Sequence, residues 1–237
     1  MTDALDSYDL VGLEYYDSIR HPTCANFRTA SAYLLTKWFA EFFRAGTWIC
    51  EVGVGRSLAA EMVENVGGSL NRLLLTDVSS AMIAHSARWA RDGAPLVLAD
   101  AEALPIDSGA LSLLVASVAD PFNRPSFWRE VARTLSRGSI ALFTTPSYDW
   151  ATAFRGSDNG NNTAAEFEVV SGKRVLVPSF IYPPERQISM IEGADLSVDR
   201  VVDVPISALN GERLSPKLIQ ARGPSASVLT GYVILHP

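Results

Sequence analysis

The sequence predicts an α/β fold, in which a doubly wound, mostly parallel sheet carries helices on both faces. Three short apolar segments, at residues 48–52, 73–76 and 96–98, are typical of strands that are buried on both sides. Helical segments separate them, and each strand ends in or just before an acidic residue. Alternation of strands and helices is the pattern of a parallel sheet.

The first strand ends in the turn Glu51-Val52-Gly53-Val54-Gly55. Gly53 and Gly55 let the backbone turn sharply and approach a ligand, because a Cβ at either position would occupy that space. The helix predicted at residues 58–65 points its first amide groups toward the same place. By itself this turn fits either a site for a nucleotide-like ligand or a tight structural turn.

Two further acids follow the next two strands. Asp77 ends the second strand, and Asp100 follows the third. Ligands of doubly wound sheets bind at the carboxyl ends of the strands. There Asp77 could accept hydrogen bonds from both hydroxyls of a ribose, and Asp100 could accept one from the amino group of an adenine. Each acid could instead be a solvated loop residue. Together with Glu51, however, they form a series at successive strand ends, which predicts a binding site.

This pattern resembles the class I S-adenosylmethionine-dependent methyltransferases, whose first strand and turn read E/D-x-G-x-G-x-G. Here Ser57 stands where the third glycine is usual, and as a small residue it can cap the following helix. Residues 104–106 resemble the L-P-F turn of the family. Residues 128–139 look like its R-E-x-x-R-x-L-x-x-G-G segment, with Ser139 at the second glycine. The resemblance covers residues 45–147.

The resemblance implies a Rossmann-like, seven-stranded sheet with an antiparallel final strand, and S-adenosylmethionine as the cofactor. Met82 would lie against the adenine, and Tyr16 and Arg28 would hold the carboxylate of the cofactor or lie over the substrate. The cofactor-binding residues that it implies are Tyr16, Arg28, Glu51, Gly53, Gly55, Asp77, Val78, Met82, Asp100, Ala101 and Ser117.

We expect one methyltransferase domain over residues 1–237: a helical cap (1–45), a cofactor-binding core (46–147), a lid or substrate insertion with a helix (148–195), and the final strands (196–237). Periodicity predicts helices at 29–44, 127–135 and 185–192, further strands at 111–118, 140–144, 196–204 and 228–235, and a β-hairpin of 167–170 and 174–177. A glycine- and asparagine-rich loop is predicted at 155–162.

Two residues are candidates for catalysis, His21 and Asp120. His21 lies in the segment 14–28, which is rich in aromatic and polar groups but lacks helical periodicity, so we expect it to form a lid together with residues 147–182. His21 could be a base or a surface histidine. Residues 120–123 faintly echo the D/N-P-P-Y/F motif of methyltransferases that act on planar amino groups, although a simple turn before the next helix is the alternative.

Composition narrows the function. With 20 Lys and Arg against 26 Asp and Glu, the net charge is −6, and the scattered basic residues do not predict a nucleic-acid partner. Two separated cysteines and three dispersed histidines predict neither a disulfide framework nor a metal site. The acidic amino terminus and the lack of an apolar stretch of about 20 residues predict a cytoplasmic protein that does not contact a membrane, as a monomer or homodimer.

The sequence therefore predicts methyl transfer from S-adenosylmethionine to an oxygen or nitrogen of a small-molecule acceptor. One alternative is an enzyme that binds the same cofactor but does not transfer its methyl group, such as a cyclase or decarboxylase. A non-catalytic partner subunit is another. An NAD-binding Rossmann protein is less well matched, because the dinucleotide motif requires a glycine at Leu58.

Overall fold

In the computed structural model, residues 2–155, 163–209, 211–220 and 226–237 are described. Seven strands of this part of the chain form one sheet in the order β3-β2-β1-β4-β5-β9-β8. Neighbouring strands from β3 to β5 are parallel, and β9 is antiparallel to both β5 and β8. The strands are β1 (Ile49–Val52), β2 (Leu73–Asp77), β3 (Leu96–Leu98), β4 (Leu111–Ala116), β5 (Leu135–Pro146), β8 (Ser197–Pro205) and β9 (Ser227–Leu235). The predicted fold class is confirmed.

Helices cover both faces of this sheet. One apolar cluster joins α2, α3 and α5 to the sheet, and a second joins α6 and α8 to its opposite face. Alternate residues of a strand point to opposite faces, so Ile49 belongs to the first cluster and Cys50 to the second. The helices are α1 (Thr2–Val11), α2 (Pro22–Phe42), α3 (Ala59–Asn65), α4 (Ser80–Ile83), α5 (Ala87–Arg91), α6 (Pro125–Thr134), α7 (Tyr148–Arg155), α8 (Pro184–Glu192) and α9 (Pro216–Ile219).

The predicted hairpin is present as an antiparallel pair, β6 (Ala164–Glu168) and β7 (Arg174–Pro178). It packs against α1 through a group of side chains that we call the lid cluster, which consists of Tyr8, Val11, Tyr15, Phe167, Val175 and Val177. The Glu14 carboxylate adds a polar link, because it accepts a hydrogen bond from the Val170 amide at 3.0 Å. Segments that are far apart in the chain therefore form one layer.

Several predicted bounds were wrong: β5 begins at Leu135 instead of residue 140, and the first strand of the hairpin is Ala164–Glu168 instead of 167–170. Residues 22–28 are helical, since α2 begins at Pro22. Helical periodicity is hidden there because the buried Asn26 is polar: its amide group donates to the Arg213 carbonyl and accepts from the Ser215 amide. Strand β4 ends at Ala116, because Val118 has a φ of +50°, which is incompatible with a strand.

The chain also contains helices that the periodicity did not predict individually, namely α1, α7 and α9. The predicted glycine- and asparagine-rich loop lies, apart from Arg155, outside the described residues. None of the described helices is both long enough and apolar enough to cross a membrane.

Candidate functional site

A cavity of about 780 Å³ lies between the carboxyl ends of β1, β2 and β4 and the lid cluster. Its volume is within the range of small-molecule sites. Ten of the eleven residues predicted to bind the cofactor line it: Tyr16, Arg28, Glu51, Gly53, Asp77, Val78, Met82, Asp100, Ala101 and Ser117. The structure therefore brings the predicted binding residues together at one edge of the sheet.

Gly53 and Gly55 form the turn that follows β1, and both have positive φ values, of +63° and +41°. A Cβ at Gly53 would lie 2.5 Å from Cε1 of Phe122. At Gly55, which is not itself among the lining residues, a Cβ would clash with the Tyr16 hydroxyl. The two glycines are therefore required by backbone conformation and by the close approach of aromatic side chains that line the cavity.

Glu51 lies at the end of β1 and is 2% exposed. Its carboxylate accepts hydrogen bonds from the Ser57 hydroxyl, from the Leu58 amide at 3.0 Å and from the Ala59 amide at 3.2 Å. Burial raises the pKa of Glu51 to about 7, because the loss of hydration outweighs these three hydrogen bonds. Glu51 thus fixes the path from the glycine turn into α3 as well as lining the cavity.

Asp77 ends β2 and supports the same turn from the neighbouring strand. Its Oδ2 accepts from the Gly55 amide at 2.9 Å, and its Oδ1 accepts from the Ser79 amide at 3.0 Å. Burial raises the pKa of Asp77 above its usual value. Each carboxylate oxygen has two lone pairs, so Asp77 retains the capacity to accept further hydrogen bonds from a ligand in the cavity.

Tyr16 and Arg28 hold the outer side of the glycine turn. The Arg56 amide donates to the Tyr16 hydroxyl at 2.7 Å, and the Arg28 guanidinium donates to the Arg56 carbonyl at 2.5 Å. Arg28 also forms an ion pair with Glu61 at 3.4 Å. Burial raises the pKa of Tyr16 to about 12, so this hydroxyl is protonated at neutral pH. Both side chains line the cavity and at the same time position the backbone of the turn.

Asp100 and Ala101 lie just after β3, and Val78 and Met82 belong to the segment that follows β2. The Asp100 Oδ1 accepts from the Glu102 amide at 2.9 Å, which fixes the carboxylate at the rim of the cavity. Met82 is 6% exposed and approaches Gly55. Three apolar side chains and one carboxylate therefore line the same cavity, a combination that could pack against a planar ring and accept a hydrogen bond from its amino group.

Ser117 and Val118 follow β4 and form a wall of the cavity. The buried Ser31 hydroxyl bonds to Ser117 at 2.7 Å and to Thr144 at 2.8 Å, and the Thr144 hydroxyl accepts from the Val118 amide at 2.8 Å. This network holds Val118 at a φ that is rare for a β-branched residue. No feature of the sequence could have identified this strained position.

On the side of the cavity that faces the lid cluster, the lining includes Tyr8, Tyr15 and Cys24, which the sequence did not single out. The ring centroids of Tyr8 and Tyr15 are 6.3 Å apart. Burial raises the pKa of both tyrosines well above 10 and that of Cys24 to about 12. The aromatic richness of residues 14–28 was a partial signal for Tyr15, whereas Tyr8 gave none.

The two predicted catalytic residues have different environments. His21 is not among the residues that line the cavity; its ring lies 5.4 Å from that of Phe167 and its Nε2 is 3.8 Å from the Glu14 carboxylate. Burial lowers the pKa of His21. Asp120 is also absent from the residues that line the cavity: it is 8% exposed and accepts from the Ser179 hydroxyl, whereas its neighbours Pro121 and Phe122 do line the cavity.

The side chains of residues 120–123 therefore point to two places, the cavity and the buried core. Phe122 lies over Gly53, whereas Asn123 is fully buried and bonds to Gln187 and Trp128. The segment is a 3₁₀ turn that leads into α6, as the simpler interpretation of its sequence expects. Among the described residues, no group of histidine, cysteine and acidic side chains could hold a metal ion.

Comparison with known proteins identifies the class. Residues 50–143 match the family model of the methyltransferase domain, and this segment contains the glycine turn and all the strand-end acids. The match shows that residues 50–143 form a methyltransferase domain, and the seven-stranded sheet is that of the class I S-adenosylmethionine-dependent methyltransferases, whose cofactor is S-adenosylmethionine. The predicted family and cofactor are confirmed, and the NAD-binding alternative is not supported. No curated protein sequence matches the chain.

Solved structures are similar over nearly the whole chain. A chain of the Haloferax volcanii complex between the Trm112 methyltransferase activator and a protein assigned as a methyltransferase has a TM-score of 0.70 and 12% identity, covering 99% of this chain and 97% of that one. DhpI, in a DhpI–SAM–HEP complex, has a TM-score of 0.66 and 14% identity over 99% and 98%. A Mesorhizobium loti S-adenosylmethionine-dependent methyltransferase has a TM-score of 0.59 and 14% identity, covering 86% of this chain and 99% of that one.

Proposed function

We propose that this protein transfers a methyl group from S-adenosylmethionine to an oxygen or nitrogen of a small-molecule acceptor. The observation that carries the proposal is the continuity of the cavity, which runs from the glycine turn and the strand-end acids to the hydroxyl groups of Tyr8 and Tyr15. A cofactor and a second molecule can therefore meet inside it, under one layer of lid residues.

The residues of the cofactor half fit the cofactor in kind and in position. Asp77 would accept the ribose hydroxyls and Asp100 the adenine amino group, with Ala101, Val78 and Met82 around the ring. Gly53 and Gly55, which lack a Cβ, allow the turn its positive φ values and its close contacts with Phe122 and Tyr16. We assign Tyr16, Arg28, Glu51 and Ser117 to the methionine end, on the basis of their contacts with the turn and with the end of β4.

The cofactor supplies a methyl carbon on a positively charged sulfur, which is an excellent leaving group. In transfer, the acceptor lone pair forms a bond to that carbon, the carbon–sulfur bond breaks with its electron pair going to sulfur, and the acceptor loses a proton. The protein contributes alignment of the acceptor and exclusion of water. The apolar side chains of Phe122, Phe180 and Val177 serve the second purpose.

A general base is optional in this chemistry. Of the two residues considered, we propose Asp120 for any such role, because Pro121 and Phe122 beside it line the cavity. His21 contacts Phe167 and Glu14 instead, so we propose that it stabilises the lid and does not act on the acceptor.

The direct test is calorimetry of the purified protein with S-adenosylmethionine, S-adenosylhomocysteine, NAD and ATP, after mass spectrometry to detect any ligand that copurifies. We expect binding of the two sulfur compounds and none of NAD or ATP. Tight binding of NAD alongside millimolar or no binding of the sulfur compounds would contradict the proposal. Intact cofactor after many turnovers would instead identify an enzyme that uses the cofactor without transferring its methyl group.

We further propose that the chain works as a monomer or homodimer in one domain, and that its partner is the small-molecule acceptor. The Haloferax volcanii protein was solved with an activator, which makes an activator-dependent enzyme the second candidate. Strand β3 is an edge strand of the sheet, and its Leu98 is 58% exposed. A strand of a partner protein could pair with this edge and cover Leu98. Light scattering of the protein alone, and mixed with the Trm112 activator, distinguishes the two.

A further inference from the structure

We infer that residues 8–16 couple the two halves of the cavity, and that Asp9 is the positioning residue for this coupling. These residues, which we call the bridging segment, comprise the last turn of α1 and the turns that follow it. The inference rests on the proposed function, because it takes the half at the ends of β1 and β2 as the cofactor site. It adds the contacts through which a bound cofactor organises the other half, beside the lid cluster.

One side of the bridging segment belongs to the lid. Tyr8, Val11 and Tyr15 pack with the β6–β7 hairpin in the lid cluster, where Val11 is fully buried. These three residues are three and four positions apart, the spacing that brings side chains to one side of a helical segment. Tyr8 and Tyr15 also line the cavity, so a movement of the segment changes the shape of its lid half.

The adjacent side of the bridging segment contacts the residues that follow β2. Asp9 and Gly12 each come one position after a residue of the lid cluster. The Asp9 carboxylate accepts hydrogen bonds from the Ser79 hydroxyl at 2.5 Å and from the Ala81 amide at 3.2 Å. Gly12 packs so closely on α4 that a Cβ would lie 2.7 Å from that of Ala81, and its carbonyl accepts from Nε2 of His85 at 2.7 Å. The segment is therefore attached to α4 and to both ends of it.

These contacts reach the backbone that carries the proposed cofactor ligands. Ser79, which is bonded to Asp9, donates its amide to the Asp77 carboxylate at 3.0 Å. Tyr16, at the end of the bridging segment, accepts from the Arg56 amide of the glycine turn at 2.7 Å. The segment thus contacts both loops of the cofactor half, the one after β1 and the one after β2.

A ligand that fixes these two loops therefore also fixes the bridging segment and, through it, the hairpin. Coupling of this kind is reciprocal, so packing of the hairpin strengthens cofactor binding by the same factor. Asp9 is the residue to test, because its carboxylate joins the segment to the loop after β2 but does not line the cavity. A change at Asp9 acts on the cofactor through the residues that it positions.

The test is a double-mutant cycle measured by calorimetry with S-adenosylhomocysteine. Val175→Ala loosens the hairpin at a residue that is buried in the lid cluster and does not line the cavity. We expect Asp9→Ala to weaken binding about fivefold and Val175→Ala about threefold. The double variant should bind as Asp9→Ala does, within a factor of about two, because the connection is already broken. Additive effects, about fifteenfold in total, overturn the inference, as do unchanged affinities in the single variants.

Three controls separate positioning from a general loss of stability. Asp9→Asn keeps an acceptor oxygen for Ser79 and should bind within about twofold of the unmodified protein. Asp92→Ala removes an exposed acid elsewhere, and Val204→Ala makes the same truncation as Val175→Ala in the main core; neither should change the affinity. Weakening by Val204→Ala equal to that by Val175→Ala would assign the effect to general destabilisation and contradict the inference.

Hydrogen exchange provides a measurement that needs no variant. Residues 165–175 of the hairpin do not line the cavity, so protection of them by S-adenosylhomocysteine does not come from direct contact. We expect the ligand to slow exchange there about fivefold or more, and about twofold or less in Asp9→Ala. Unchanged exchange in the unmodified protein overturns the inference, even if no variant folds.

Titration of the unmodified protein with S-adenosylhomocysteine separates failure of this inference from failure of the proposed function. A lack of binding would contradict the proposed function and the inference that rests on it. Binding together with an additive cycle and unchanged exchange at residues 165–175 would leave the proposed function in place and remove only the coupling through Asp9.

Discussion

The two halves of the cavity, the one at the strand ends proposed for the cofactor and the one at the lid cluster, are formed by different kinds of structural element. In the cofactor half, side chains come from the ends of parallel strands, and their contacts are hydrogen bonds with the backbone, such as those of Glu51 and Asp77. The lid half is assembled from α1 and the β6–β7 hairpin, joined by the small apolar lid cluster. The comparison teaches that the cofactor half inherits the rigidity of the sheet, whereas the lid half depends on a few side chains.

The largest expected effect concerns Asp77 in the cofactor half. In Asp77→Ala, two hydrogen bonds from the ribose to a carboxylate are lost, at about 1.5 to 3 kcal/mol each, so the affinity for S-adenosylhomocysteine should fall roughly 100 to 10,000 fold. Calorimetry measures the change, and Asp92→Ala serves as the control. An unaltered dissociation constant would mean that the cofactor does not contact the end of β2.

The second prediction tests the energetic cost of the buried acid at the glycine turn. Because the pKa of Glu51 is raised from 4.5 to about 7 in the folded protein, the folded state holds this proton more tightly than the unfolded state. Its contribution to the free energy of unfolding is therefore greatest at low pH and falls by about 3 kcal/mol as the pH rises from 4.5 to 7.

Urea unfolding at a series of pH values, compared between the unmodified protein and Glu51→Gln, isolates this contribution. The variant cannot ionise, so the difference between the two curves should change with pH over that window and be constant above about pH 8. A difference that is independent of pH would show that Glu51 ionises normally in the folded protein.

The third prediction contrasts the lid half with the core of the sheet. Val177→Ala removes two methyl groups from the lid cluster and should cost about 1 to 2 kcal/mol, confined to local opening of residues 7–21 and 164–178. Val63→Ala, in the main core, should lower protection across the sheet. Hydrogen exchange detected by mass spectrometry measures both effects.

The same exchange experiment tests the predicted lid. Residues 14–21 and 164–178 should gain protection when S-adenosylhomocysteine and an acceptor are present, because closure excludes water from the cavity. Residues 22–28, which belong to α2, should be protected in the free protein already. Equal protection of all these segments without ligand would assign them to the rigid fold.

The smallest expected effect concerns the hydroxyl network behind Val118. Ser31→Ala removes hydrogen bonds to Ser117 and Thr144 and should weaken binding of S-adenosylhomocysteine about fivefold, which corresponds to about 1 kcal/mol. The matched control is Ser112→Ala. Ser112 lies on β4, its hydroxyl bonds to that of Thr47, and it does not line the cavity. Equal affinities in both variants would confine the network to a structural role.

The sequence predicted residues that line one cavity, because each of these features has a local signal, and their contacts with a cofactor stay a prediction. A buried parallel strand is a short apolar run, a close approach of backbone requires glycine, and a strand end is followed directly by its acid. Gly53, Asp77 and Asp100 could therefore be assigned without knowledge of the tertiary structure. Ser57 also meets its expectation, since its hydroxyl accepts a hydrogen bond from the Ala60 amide at the start of α3.

The lid half could be predicted only in outline. Its hairpin has the alternation of a strand pair. The contact of Val170 with Glu14, however, joins residues 156 positions apart, and neither segment has a sequence pattern that predicts it. Asn26 interrupts the apolar face of α2 for the same reason, because its partners lie in residues 213 and 215. Pairings across such distances depend on the whole fold.

The place of β9 within the sheet bears on how the chain folds. This strand, formed by Ser227–Leu235, lies between β5 and β8 and pairs with both, although it follows both of them in the chain. Strands β1 to β5 can associate early, but β8 has no place beside them until β9 arrives. Pairing over such separations is slow, so we expect a nascent chain to display an open sheet edge at β5 until β9 has been synthesised, where a chaperone or a premature partner could attach.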